Sequence, residues 1–146
     1  MPLIVDANVA ADVFASDAKN DFTPVQRALF RCEAVAVHGG RLTREYVALR
    51  ALRGILRELD RKGSLWRYAD AKVDHTEQVI ADEGLCVSDD PHTIALARVS
   101  GARLLCSRDQ DLHRDFTNGN ILRPRGRVYQ RPAHRRLIRL YGGRKT

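Results

Sequence analysis

Short, unbroken apolar runs alternate along this chain with longer stretches in which apolar residues return every three or four positions. Leu3-Ile4-Val5, Ala34-Val35-Ala36-Val37, Leu85-Cys86-Val87 and Leu104-Leu105-Cys106 are such runs, and each reads as a strand buried on both faces. Asn8 opens a helical stretch carrying Val9, Ala10, Val13 and Phe14. Thr23-Pro24, an N-cap followed by a first-turn proline, starts a helix over 25–32 with Val25, Ala28, Leu29 and Cys32 on one face. Leu42, Tyr46, Leu49, Leu52, Ile55, Leu56 and Leu59 predict one long helix over 42–59, with Thr43 as its cap, Gly63 after its end and Gly54 a mild internal cost. A further amphipathic helix is predicted over 68–83, then one over 91–99 with Gly101 as C-cap, then a short one from Ser107 to Phe116. Arg127-Val128-Tyr129 reads as a final edge strand. Strands separated by helices predict an α/β fold with a mainly parallel sheet, and such sheets bind ligands beyond the carboxyl ends of their strands.

Length bounds this pattern to one domain, since 146 residues suffice for a core but not for two ordinary domains. Apolar residues make up 44% and charged residues 29%, as in soluble globular proteins, and no apolar stretch approaches the roughly 20 residues of a membrane span. The opening Met-Pro-Leu-Ile-Val-Asp has no basic segment leading into an apolar run, so no secretory signal is expected. Cys32, Cys86 and Cys106 are odd in number and widely spaced. They read as small buried hydrophobes in a reducing compartment, and no Cys/His pair has zinc-ligand spacing. A cytoplasmic location is the expectation.

The net charge of +7 is unevenly placed. Nine of the 25 Lys and Arg residues lie between Arg123 and Thr146, where there is no acid, and the remaining 16 face all 18 acids for a net of −2. A nearly neutral body over 1–129 therefore carries a basic tail over 130–146, suited to a polyphosphate partner or to solubility alone. Arg108, Arg123, Arg125, Arg127, Arg131, Arg135, Arg136 and Arg139 are the candidate nucleic-acid contacts.

Chemistry points to four acids. Asp6 ends the first apolar run, and Asp90 and Asp109 follow the runs at 85–87 and 104–106. Glu45 borders the buried stripe of the long helix. Each has an ordinary explanation: aspartates cap helices, and a glutamate near a helix N-terminus complements its dipole. Taken together they are less ordinary. Carboxylates gathered at strand ends repel one another unless a cation neutralises them, and an all-oxygen set suits Mg²⁺ or Mn²⁺. Asp89 competes with Asp90 for the third position. The five histidines show no ligand spacing, Ser88 and Ser107 lack a hydrolase nucleophile elbow, and there is no phosphate-cradling glycine loop.

Leu3-Ile-Val-Asp-Ala-Asn8, Thr43-Arg-Glu-Tyr46, the run from Ser88 to Ala97 and the run from Gly101 to Leu112 resemble, in order, the four acidic blocks of PIN-domain ribonucleases. That group includes the VapC-like toxins of bacterial toxin–antitoxin pairs. The resemblance covers roughly residues 2–129. It implies a PIN-like three-layer α/β/α sandwich, with Asp6, Glu45, Asp90 and Asp109 as catalytic metal ligands and Asn8 and Asp111 as supporting polar residues. It also implies an RNA substrate, a cognate antitoxin partner and often a homodimer. Ser107-Arg108-Asp109 stands where the family has Thr/Ser-x-Asp, and the basic extension after Tyr129 lies outside the pattern.

The expected function is thus a Mg²⁺- or Mn²⁺-dependent endoribonuclease in which metal-activated water attacks the phosphodiester. The competing expectation is a non-catalytic RNA-binding or protein-binding module whose acids are helix caps. A phosphoacceptor receiver domain ranks lower, because only Ser107-Arg108 follows the strand where such a domain needs a lysine.

Overall fold

A computed structural model describes residues 2–143. Its centre is a five-stranded sheet of β1 (Leu3–Val5), β2 (Ala36–Gly39), β3 (Leu65–Tyr68), β4 (Leu104–Cys106) and β5 (Arg127–Tyr129), in the order β3-β2-β1-β4-β5. Every neighbouring pair is parallel. Parallel neighbours need crossovers, and helices supply them: α1 (Thr23–Phe30), α2 (Arg41–Ala48), α3 (Arg53–Lys62), α4 (Asp70–Glu83), α5 (Pro91–Ser100) and α6 (Gln110–Phe116), with α7 (Arg136–Tyr141) following the last strand. The molecule is the expected α/β/α sandwich. β1 and β4 are buried at every position, as unbroken apolar runs between two helical layers must be.

The winding decides where a site can form. From β1 the chain moves outward to β2 and β3, then crosses back over β1 to β4 and continues to β5 on the other side. Right-handed crossovers cover both faces of the sheet with helices. Accordingly α1 packs with α3, and α4 with α5. The reversal leaves β1 and β4 as neighbours whose connections depart in opposite directions. Beyond their carboxyl ends lies the crevice in which doubly wound sheets bind ligands.

Three expectations from the pattern fail. Residues 85–87 are not a strand: they cross in the open from α4 to α5 with Leu85 and Val87 exposed, and the amides of Val87 and Ser88 donate to the Asp115 carboxylate instead of to a sheet. The third strand is Leu65–Tyr68, an edge strand with buried Leu65 and exposed Trp66 and Arg67, so the helix expected from Tyr68 begins at Asp70. The long helix expected over 42–59 is broken at Leu49, where ψ of 75° is not helical, and resumes through a 3-10 turn at Arg50–Leu52. The break serves two layers, since α2 packs against β2 and α5 whereas α3 packs against α1 and β3. Periodicity cannot reveal it, because both halves are helical and both bury leucines.

Smaller differences have local causes. Neither Thr23 nor Thr43 caps a helix: Thr23 Oγ1 accepts from the Asn20 amide at 2.9 Å, and Thr43 Oγ1 meets His38 Nδ1 at 2.7 Å. α2 instead starts from Gly40, whose φ of 58° favours glycine and whose absent Cβ would stand 2.8 Å from Val73. After Tyr129 a 3-10 turn (Pro132–His134) leads to α7, which buries Ile138. The Gly142 carbonyl then accepts from the Val35 amide at 3.0 Å, and Gly143 bridges Ala34. Residues 130–143 therefore lie on the body, and positions 144–146 of the expected basic tail fall outside the described residues. Among the described residues no helix is long and apolar enough to cross a membrane.

Candidate active site at the carboxyl ends of β1 and β4

Asp6 is the residue immediately after β1, and its amide donates to the Cys106 carbonyl at the end of β4, so it sits on the switch point itself. Its side chain is 6% exposed. Ser107, the residue after β4, donates its hydroxyl to Asp6 Oδ2 at 2.7 Å and accepts the Asp109 amide at 3.1 Å. His113 in α6 fixes Ser107 in turn, its Nε2 lying 2.6 Å from the Ser107 carbonyl oxygen. One small hydroxyl thus ties the first acid to the backbone of the fourth.

Glu45 arrives from α2. The next residue, Tyr46, donates its buried hydroxyl to the Val5 carbonyl, which anchors α2 at the end of β1 and brings Glu45 close enough to Asp6 to repel it. His92, on the first turn of α5 and 1% exposed, places Nε2 at 2.9 Å from Glu45 Oε1. Its Nδ1 lies 4.0 Å from Asp90 Oδ1 and has no hydrogen-bond partner. Asp90 lies near enough to Asp6 and Asp109 to be raised by both.

Capping separates these acids. Asp6 and Asp90 both occupy helix-start positions, yet neither side chain caps its helix. Asp109 does cap α6, accepting from the Asp111 and Leu112 amides at 3.0 and 3.2 Å. Asp6 and Asp90 are therefore not engaged by the helices they precede, and Asp6 bonds Ser107 instead.

The electrostatics carry the mark of this crowding. Burial, the largest influence, pushes the Asp6 carboxyl above the usual carboxylate range, and Glu45 pushes the same way against the Ser107 bond and His92. Asp90 is also raised, first by burial, then by Asp6, with Asp109 adding to it. Burial raises the Tyr46 hydroxyl well above its ordinary value, with Asp6 and Glu45 adding to it, so it remains a donor.

Among the described residues no group of three or more His, Cys, Asp or Glu side chains is set to hold a metal ion. In this arrangement Asp109 is turned to α6 and Glu45 to His92. The donor set nonetheless fits a hard divalent cation in kind. Its members are carboxylate oxygens, two of them raised by burial and by neighbouring acids, and a cation there would relieve that repulsion.

The remaining candidates scatter around this centre. Asn8 and Asp111 are exposed on the turns that follow Asp6 and Asp109, and Asp89 is exposed beside Asp90. Arg108 is held by Asp12 at 2.8 Å and lies 5.0 Å from the centre of the Phe22 ring. Arg123, Arg125, Arg127 and Arg131 are exposed around β5, with Arg127 stacked on Tyr141. Arg135, Arg136 and Arg139 line a cleft against α1. Ser107, His92 and Tyr46 were not among the expected site residues, although each lies within two positions of an expected acid. Asp115, which holds the loop before Asp90, had no local signal at all.

Compared with known proteins, the chain matches no family model, no curated protein and no solved structure.

Proposed function

We propose that this protein is a metal-dependent endoribonuclease. The observation that carries the reading is the behaviour of Asp6 and Asp90. Both stand where a helix cap would be, neither caps, and both are raised by burial and by neighbouring acids. A capping aspartate bonds the amides of its own helix; a ligand of a cation leaves its carboxylate free for the ion.

On this reading Asp6, Glu45, Asp90 and Asp109 would hold one or two Mg²⁺ or Mn²⁺ ions, which when bound activate water for attack on a phosphodiester and stabilise the leaving oxygen. The chain's own residues orient and tune the acids. Ser107 fixes Asp6 and the start of α6, His92 fixes Glu45, and Tyr46 holds α2 against β1. Asp109 or Asp111 is the candidate proton acceptor. The PIN-like acidic blocks support ribonuclease chemistry over other phosphodiester hydrolysis, and they support a toxin role with a cognate antitoxin and a homodimeric state.

The test is cleavage of single-stranded RNA with added Mg²⁺ or Mn²⁺. Asp6→Asn and Asp90→Asn should each lower the rate at least a hundredfold, on the order of losing one charge-stabilising group. Parent-like cutting by both variants would refute the proposal. A toxin role is tested separately, by growth arrest and RNA loss on expression of the parent but not of Asp6→Asn. One observation favours the second reading, a binding module without turnover: Asp109 does cap α6. That reading expects salt-sensitive RNA binding with no metal dependence.

A further inference from the structure

We propose that the cleft between α1 and α7 seats the phosphate backbone of RNA without regard to sequence, apart from the acid cluster and separable from it. The inference rests on the ribonuclease reading for the identity of the polyanion.

Five arginines line this cleft of about 560 Å³: Arg27 and Arg31 from α1 and the turn after it, and Arg135, Arg136 and Arg139 from α7 and its approach. Glu33 is the one acid among the lining residues. Among the described residues none of the five forms an ion pair, whereas Arg41, Arg44, Arg61, Arg67, Arg98 and Arg108 each pair with a carboxylate. Five exposed guanidinium groups along one groove set up a local positive potential that favours anions. Phosphates suit it, because the planar guanidinium fork matches their oxygens and binding releases condensed counterions.

The lining argues against a peptide. Ala28 and Ile138, at the apolar floor, are members of the buried core and offer no open pocket for an anchoring side chain. Aromatic residues are absent from the lining, so bases have nothing to stack on and the contacts read backbone alone. The course of the cleft fits a strand of RNA. α7 begins beyond the carboxyl end of β5, on the edge of the sheet that bears the acids, and ends where Gly142 meets Val35 just before β2 on the opposite edge. A nucleic-acid strand lying along it leads toward the acids at one end and away from them at the other.

The test is fluorescence anisotropy of a labelled oligouridine in EDTA, titrated at several salt concentrations, so that neither metal nor cleavage enters. Each phosphate contact on a single strand contributes a slope of about −0.7 to log affinity against log salt. Arg27→Gln/Arg31→Gln and Arg136→Gln/Arg139→Gln should each make the slope shallower by about 1.4. Between about 50 and 200 mM salt the parent should then lose roughly sevenfold more affinity than either variant. Lys72→Gln/Arg114→Gln removes the same charge from exposed sites outside the cleft and should leave the slope near the parent's. Equal slopes for the cleft and control pairs would overturn the proposal in favour of net charge alone. Binding of polyglutamate in place of RNA would overturn it in favour of an acidic protein. Absence of RNA binding in EDTA would also overturn it while leaving metal-dependent cleavage to be judged on its own assay.

Discussion

Mn²⁺ should raise the melting temperature of this protein, and Asp6→Asn should abolish the rise. Asp6 is 6% exposed, beside Glu45, and held above its usual protonation range by burial, so its charge at neutral pH is a destabilising presence in the metal-free fold. An ion at a hundred times its dissociation constant stabilises the folded state by about 2.7 kcal/mol. For a chain of this length each kcal/mol moves the midpoint by about 3 °C, which gives a rise of about 8 °C. Asparagine keeps an oxygen for the Ser107 hydroxyl, so the variant exchanges a charge-assisted bond for a neutral one, a loss of about 1 kcal/mol. Relief from burying a charge next to Glu45 opposes that loss, so the metal-free midpoint should stay within about 3 °C of the parent's. Differential scanning fluorimetry at pH 7, in EDTA and in MnCl₂, measures both quantities. A parent midpoint indifferent to Mn²⁺, together with a much less stable Asp6→Asn, would make Asp6 a structural residue and end the argument for a metal site.

Three further outcomes follow from particular contacts. Asp6 and Asp90 both bind protons more tightly folded than their ordinary value of 3.8. The stability they contribute is therefore complete below that pH and lost as pH rises through their folded values. In EDTA, Asp6→Asn/Asp90→Asn should accordingly gain stability relative to the parent from about pH 4 toward pH 7, by urea unfolding across pH; a difference flat with pH would contradict it. Tyr46→Phe preserves ring volume but leaves the buried Val5 carbonyl without its donor, so it should cost about 1–3 kcal/mol in urea unfolding. Gly54→Ala should stabilise by about 0.5 kcal/mol in the same assay, because a Cβ there meets nothing within 4 Å and the backbone is already helical.

The central sheet was legible in its unbroken apolar runs, although the strand read over 34–37 runs two residues later, over Ala36–Gly39. β1 and β4 were read to the residue, and those two strands frame the crevice. The edge strand Leu65–Tyr68 was missed because one of its faces meets water, so Trp66 and Arg67 interrupt the apolar signal. Residues 85–87 misled for the converse reason: three apolar residues in a row can also be a crossing pinned by a distant carboxylate, here Asp115. At the site, Asp6 and Asp109 do follow the strands read before them, whereas the run before Asp90 is no strand. The partners that orient them were not, since a serine or histidine beside an aspartate looks the same whether it caps, packs or binds. Only the fold shows that Ser107 faces Asp6 across the switch point, 101 positions away in sequence.

A single helix of seven residues governs two acids at once. α6 bears Asp109 at its head, and near its foot the buried Asp115 grips the amides of Val87 and Ser88, the segment that delivers Asp90. The separation of those two carboxyls is thus gauged along one rigid rod, independently of how the strands slide or twist. Inserting or deleting a residue in α6 would swing Asp115 roughly 100° around the helix axis and cast the Asp90 loop loose while Asp109 stayed in place. Selection acting on this chain should consequently tolerate length changes in the exposed turn 118–120 far more readily than within those seven positions.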